Sequence, residues 1–430
     1  MTTLEMPPSK KDIFKELIFP LLLFFSLFEY TFLLPGKMLL TLGNVGIISC
    51  LFAYMIFFRK ELLGELLRVK WTAFIGILFL ATTLLTSLID NPYWVISVKY
   101  WIKVYTLFFL LVVIFRTSFI SRHTLNLSCV IIIFLNLIGV LEYFYFGKGY
   151  MNEFLAFFRT KELLNGSNAV SSVFVNQNTY GPLNALFLVA LLAIKLNYRD
   201  MINKHFFVIT LILSTAGIFL STSRNAILTL LVGLAFLIPF LKKNIATLKR
   251  LTLIFIILSA SFLIFIKYDP LFVNRYGNLL PFATKIAKGD SVSPSDFKMK
   301  LPGGIHSRLF IWKTGIKKFK EKPLTGWGTG MSWWRLRDVT KHNHLHNSYL
   351  EILVTNGVSG LVLILCLLSL WLSRLKSLWC WSPVAALLTM CMFETFFVIS
   401  TWVIFASWIV AITTKDLIVT ANAKSPESIG

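Results

Sequence analysis

Three histidines at alternate positions, His342, His344 and His346, stand immediately before an apolar run in KHNHLHNSYLEILVTNGVSG, residues Lys341 to Gly360. Imidazole, with an unperturbed pKa of about 6.5, is the side chain suited to take and return a proton at neutral pH. With His306, four of the six histidines fall in the segment from Lys267 to about Asn347. Three uses fit such a cluster: solvated loop histidines without a task, a metal site built on the HxHxH spacing, or acid–base chemistry. No Asp, Glu or Cys lies close enough to them in sequence to complete a shell, so no metal and no cofactor is expected.

Two arginines favour the third use. Arg224, in STSRNAIL, sits at a turn between two apolar runs, and Arg308, in GGIHSRLFIWKTG, opens a helical pattern. An arginine at membrane depth is costly unless it is paired or faces a polar cavity; the plainer reading of Arg224 is a guanidinium snorkelling to the interface. Forked guanidiniums fit pairs of phosphate oxygens, so two of them beside a histidine suggest phosphate recognition next to proton transfer. Lys99 and Lys103, one helical turn apart, are candidates for the same anion, with interface snorkelling an equal alternative. Glu29, Glu142 and Glu394 lie in apolar runs, where a carboxylate orients a cation, lines a lipid cavity or, most simply, is a partnered structural group.

The elements that must carry these residues are membrane helices. The chain is 56% hydrophobic and 14% charged, with 40 phenylalanines and a mean hydropathy of +0.74, values of a polytopic membrane protein. Apolar runs of about 17 to 25 residues span a hydrocarbon core of roughly 30 Å. Twelve such candidates occur, some of them shorter: Leu17–Leu34, Met38–Phe58, Trp71–Ile89, Trp101–Phe115, Leu125–Phe146, Tyr180–Leu196, Phe206–Leu220, Asn225–Leu241, Leu251–Ile266, Ser348–Leu372, Pro383–Val398 and Thr401–Thr413. The first reads as a retained anchor, since no small-residue cleavage site follows it. The chain thus divides into nine spans over 1–266, a long loop over 267–347 that carries the chemistry, and three spans with a tail over 348–430.

Short loops rich in cations mark the cytoplasmic side. Arg59, Lys60, Arg68, Lys70, Arg116, Arg122, Lys242, Lys243 and Arg374 share one side, which places both termini inside and the long loop outside. That loop holds fifteen Lys/Arg against five Asp/Glu between Lys267 and Leu345. Long loops translocate regardless of charge, and on the outer side nucleic acid is not the expected partner; anionic phosphates of lipids or lipid-linked substrates are. After Arg308, the apolar residues Leu309, Trp312, Ile316 and Phe319 recur at helical spacing with Lys313, Lys317 and Lys320 on the flank, which predicts an amphipathic helix on the outer membrane surface. KPLTGWGTG, with Pro323 and three glycines, ends it. The last long helix is expected to begin near Asn347, with His346 in its first turn. The five cysteines draw no disulfide or metal framework, and there is no P-loop.

Five motifs in order, FVNQNTYG (Phe174–Gly181), STSRNAIL (Ser221–Leu228), HSRLFIWKTG (His306–Gly315), KPLTGWGTG (Lys322–Gly330) and HNSYLEILVTNGVSG (His346–Gly360), resemble the bacterial O-antigen ligase and O-antigen polymerase superfamily. The resemblance implies an all-α, GT-C-type glycosyltransferase of the bacterial inner membrane, with about twelve spans and an active site facing the periplasm. It also implies a metal-independent, inverting transfer of a glycan from undecaprenyl diphosphate. Ligases pass the glycan to the lipid A–core sugar, and polymerases pass it to another repeat unit. The ligase-like arrangement of His346, Asn347, Gly357 and Gly360 makes this chain closest to the ligases. Carried over, the essential arginines fall on Arg224 and Arg308 and the essential histidine on His346. His344, Asn176, Asn178 and Asn347 are expected to touch substrate beside them. A transporter of lipid or glycan also suits twelve spans with buried charges, but the polar residues collect on one face rather than at the midplane.

Overall fold

The computed structural model describes residues 9–27, 41–89, 91–118, 120–146, 172, 174, 177–241, 305–332, 344–375, 377–394 and 400–414. The described residues are mostly helical. In chain order they are α1 (Lys10–Leu27), α2 (Leu42–Phe57), α3 (Arg59–Arg68), α4 (Lys70–Leu88), α5 (Trp94–Trp101), α6 (Leu107–Thr117), α7 (Arg122–Leu141), α8 (Gln177–Asn197), α9 (Lys204–Leu220), α10 (Arg224–Ala235), α11 (Ile238–Leu241), α12 (Ile305–Glu321), α13 (Ser348–Leu372), α14 (Trp381–Phe393) and α15 (Ser400–Thr414). A π-helical turn, Ile102–Thr106, joins α5 to α6, and another, Glu142–Phe146, extends α7.

Lys70–Leu88, Trp94–Thr117, Arg122–Phe144, Asn178–Asn197 and Ser348–Leu372 are long and apolar enough to cross a membrane, and shorter apolar helices accompany them. The chain is a polytopic, all-helical membrane protein. Eleven of the twelve predicted runs overlap a helix, and Leu251–Ile266 lies outside the described residues. Several boundaries differ from expectation, among them α1, which begins at Lys10 rather than Leu17, and α14, which ends at Phe393 rather than Val398. Arg59–Arg68, expected as a short basic loop, is a helix, because Leu62 packs with Tyr54 and Phe58 while the charges between point outward. The run expected to start at Trp101 starts at Trp94, about two turns earlier.

α8 is the axis of the bundle. Residues 181–194 are all buried, and the helix is apolar all round, as a helix enclosed by others must be. It packs against α9, α10 and α14. By contrast α4 presents Trp71, Phe74 and Ile77 to the outside, as a lipid-facing helix does. α1 closes on α15, near the end of the chain, where Phe19 stacks on Trp408 with centroids 4.5 Å apart. Lipid tails are as apolar as these side chains, so such contacts hold the bundle by close packing rather than by exclusion of water. A capping box at Ser121 and Thr124 opens α7, and Asn203 opens α9 by accepting the His205 N–H at 2.9 Å.

α13 is broken in its middle. Gly357 has φ 66° and ψ −169°, outside the helical region. The N–H groups of Val358 and Ser359, which would have bonded Val354 and Thr355, bond instead to the carbonyls of Pro323 (2.9 Å) and Leu324 (3.4 Å). The released carbonyls of Val354 and Thr355 accept the N–H groups of Trp327 (3.1 Å) and Gly328 (2.7 Å). The KPLTGWGTG segment therefore inserts into the gap and satisfies the opened ladder. Irregular backbone within a span is tolerated when protein covers it in this way. Only glycine fits at 357, since a Cβ there would collide with the Leu324 carbonyl.

Candidate active site

Arg308 lies in the first turn of α12, and that helix is held over the start of α13. Ile311, Leu345 and Val354 form a small core with Trp312, Phe319, Trp327 and Leu350 around it. The Trp312 indole N–H donates to the Leu345 carbonyl at 2.8 Å, and the Trp327 indole to Lys318 at 2.9 Å. This corrects the predicted apolar stripe. Trp312 and Phe319 do face the protein, together with Ile311 and Gly315, whereas Leu309, Phe310 and Ile316 are exposed. A helix at a membrane surface has two apolar neighbours, lipid and protein, and spacing alone does not tell them apart.

His346 is not in the first turn of α13, as the sequence suggested. The N-cap is Asn347, whose side-chain oxygen accepts the Leu350 N–H at 2.9 Å, and His346 precedes it in the left-handed region with φ 49°. Left-handed backbone is uncommon for a non-glycine residue, and such conformations gather at functional sites. The turn brings the His344 and His346 rings to 6.2 Å, edge to face. Asn347, expected to contact substrate, thus has its oxygen engaged as a helix cap.

Both predicted groups meet on a third. α14 ends at Phe393, and Glu394 caps it, its N–H on the Met390 carbonyl at 3.0 Å and its own carbonyl accepting the Ser348 hydroxyl at 2.7 Å. One carboxylate oxygen lies 3.4 Å from Arg308 Nη2, and the other lies 3.3 Å from His346 Nδ1. These are longer than the 2.7–2.9 Å typical of a closed charged pair. Among the described residues, Glu394 is the one side-chain partner of Arg308.

A second carboxylate, Glu351, stands in the first turn of α13, buried, within electrostatic reach of His346. It accepts the Ser332 hydroxyl and, at 3.4 Å, the Leu345 N–H. Sequence reasoning passed over Glu351. The available signal was an acid in the first turn of a helix opened by an Asn cap, where the helix dipole favours negative charge.

Arg224 reaches the same end of the molecule by a separate route. The turn before it bends at Thr222 (φ 51°), where Ser221 Oγ accepts the Ser223 N–H at 3.2 Å, and Gly181 of α8 leaves room for Ser221 and Ala226. The Ser223 hydroxyl donates to Asn178 at 3.3 Å, which ties the start of α8 to Arg224. α10 and α14 pack along their length, and Ser382 at the start of α14 bonds the carbonyl of Gly233 near the end of α10 at 2.7 Å. The two helices are antiparallel, so the start of α10, with Arg224, shares an end with Glu394.

Beneath the cluster runs a buried polar network. The Thr329 hydroxyl donates to Asn356 Oδ1 at 3.2 Å and receives the Ser87 hydroxyl at 3.1 Å; the Thr329 carbonyl receives Ser97 at 2.7 Å, and Asn356 donates to Tyr105 at 2.6 Å. Lys103, in the π-helical turn, and Glu351 are both within electrostatic reach of Tyr100, whose ring packs on Gly330. Lys103 is thus placed near Tyr100, while Lys99 is exposed. Glu142 is fully buried and accepts the Ser172 N–H at 2.8 Å, as a partnered structural carboxylate does. Glu29, Asn176 and His342 lie outside the described residues. Among the described residues, no group of three His, Cys, Asp or Glu could hold a metal ion.

The basic cluster sits at the opposite end. Ser87 of α4 lies by Asn356 through Thr329, and Phe79 of α4 lies by Leu367, so α4 and α13 are antiparallel and Lys70 is remote from His346. Arg116 joins Glu65 there at 2.5 Å.

Residues 209–365 match the sequence model of a family described as O-antigen ligase. No curated protein matches the chain. The matched stretch contains Arg224, Arg308, His344 and His346 and ends before Glu394.

Proposed function

We propose that this chain, whose residues 209–365 belong to the O-antigen ligase and polymerase superfamily, is the ligase. On this reading it transfers a glycan from undecaprenyl diphosphate to the lipid A–core oligosaccharide at the periplasmic face of the bacterial inner membrane. The observation that carries the reading is the convergence of Arg308 and His346 on one carboxylate, at the end of the bundle remote from the Arg59–Lys70 cations. If those cations mark the cytoplasm, the site faces outward.

The chemistry follows from the groups. The bond between the anomeric carbon and the diphosphate oxygen breaks, and the negative charge that develops on the diphosphate is met by the guanidiniums of Arg308 and Arg224, with Lys103 nearby. An acceptor hydroxyl attacks the opposite face of the anomeric carbon, which inverts it, and gives its proton to His346. Diphosphate is a good leaving group, so neither an acid catalyst nor a metal is required. The exposed Leu309, Phe310 and Ile316, beside Lys313, Lys317 and Lys320, suit a helix resting at a surface of anionic lipid. A twelve-span, GT-C-type layout is part of the same proposal.

Purified protein supplied with lipid-linked glycan and lipid A–core, separately and together, tests this. Core extended by glycan only when both are present, and undiminished in excess EDTA, is the expected result. Lengthening of the lipid-linked glycan without core would make the protein a polymerase, and loss in EDTA restored by a divalent ion would overturn the metal-free mechanism.

A further inference from the structure

We infer that Glu394 is a positioning residue that ties the phosphate-binding cation to the proton acceptor, an assignment that rests on the glycosyl-transfer reading. It lies beyond the matched stretch, and its role comes from geometry alone. Its backbone is anchored on both sides, by Met390 within α14 and by Ser348 at the start of α13, so its side chain springs from a fixed point between two helices. Each carboxylate oxygen then serves one partner. Oε2 faces His346 Nδ1, which makes that nitrogen the donor and Nε2 the basic nitrogen of the ring. Oε1 faces Arg308 Nη2, one branch of the fork, and leaves Nε and Nη1 for phosphate oxygens. This is the arrangement of a base oriented by a third group.

Among the described residues, the charged and titratable groups near His346 include Glu394 after α14, Arg308 of α12, Glu351 of α13 and His344 beside it. Glu351 does not substitute for Glu394, because its oxygens are engaged by Ser332 and the Leu345 N–H. In the reaction the acceptor's proton passes to His346 Nε2 and leaves to water once the products depart, and the Glu394 carboxylate offsets the imidazolium charge in between. Because one rigid carboxylate holds both partners, it also sets the separation between the leaving-group cation and the base.

Glu394→Gln keeps the shape and removes the charge. The expected result is a kcat lowered on the order of 10- to 100-fold, the scale of losing an orienting partner, with inhibition by inorganic diphosphate unchanged or tighter, because Arg308 loses its competing carboxylate. Glu394→Asp, which keeps the charge on a shorter arm, should recover part of the rate. Should the Gln variant fail to insert, the Asp variant carries the test alone, with reduced kcat and retained diphosphate inhibition expected. Wild-type kcat in Glu394→Gln, or kcat and diphosphate affinity falling together in the variant that folds, would overturn the assignment. His346→Ala separates the two readings. If it transfers glycan as well as the wild type, the base mechanism fails; if it is inactive while Glu394→Gln is fully active, only the role of Glu394 fails. Diphosphate affinity weakened by Glu394→Gln in a folded protein overturns the Arg308 half without reference to transfer.

Discussion

Arg116 and Arg308 are both partly withdrawn guanidiniums that face a glutamate, at opposite ends of one bundle. Arg116 is closed. Its Nε lies 2.5 Å from Glu65, and its Nη1 donates to Thr414 at 2.6 Å, so α3, α6 and α15 are locked by one side chain. Arg308 touches its glutamate at 3.4 Å and shares it with a histidine. Exposure differs little, with side chains 15% and 10% accessible for the first pair and 26% and 12% for the second. What separates them is saturation. The Arg116 guanidinium holds two short partners on two other helices and contributes to stability, whereas Arg308 has one longer contact, and on the proposed reading its remaining donors meet an anion.

Four substitutions test that contrast. The largest loss of transfer is expected from His346→Ala, about 10²- to 10⁴-fold if the imidazole is the general base, measured as product per correctly inserted protein; near-wild-type turnover would remove it from the chemistry. Arg308→Lys keeps the charge and loses the fork, and transfer should fall at least tenfold, on the premise that Arg and Lys are not interchangeable at a bidentate phosphate site. Full activity in that variant would make Arg308 an anchor like Arg116. Gly357→Ala comes next. An alanine held at φ 66°, ψ −169° costs roughly 1–3 kcal/mol, and its Cβ displaces the inserted KPLTGWGTG segment, so both the thermal midpoint and transfer should drop, because that segment ties the end of α12 into α13. An unchanged midpoint would show that the break in α13 relaxes freely. The smallest effect on transfer belongs to Glu65→Ala. Stripping a part-buried pair of one partner costs less than the roughly 3–5 kcal/mol of a fully buried one, so the unfolding midpoint should fall modestly while turnover per folded molecule holds. Loss of turnover at full stability would mean that the two ends are coupled.

Much of the fold was legible because hydrophobic length is a local signal. Ser348–Leu372 was read to the residue, and Trp71–Ile89 to within one at each end. The failures have a common form. α3 was missed because its charged residues break an apolar window although Leu62 still finds the core. Gly357 was visible as a motif glycine, but no pattern announces that the helix opens there to admit a segment from some thirty residues earlier. Glu142 and Glu394 looked alike as lone carboxylates in apolar runs. One is enclosed with the Ser172 N–H, and the other faces two of the three groups singled out for chemistry.

By itself, then, the sequence determined the membrane class, the positions of most helices and the residue types that could bind phosphate and move a proton. Those follow from composition, run length and the chemistry of Arg and His, none of which depends on distant parts of the chain. Only the tertiary structure decided which of those residues meet. Glu394 finds its partners 48 and 86 residues back in the chain, across three helices. A contact of that kind is fixed by how α12, α13 and α14 pack, and helix packing depends on all the side chains between them rather than on any local pattern.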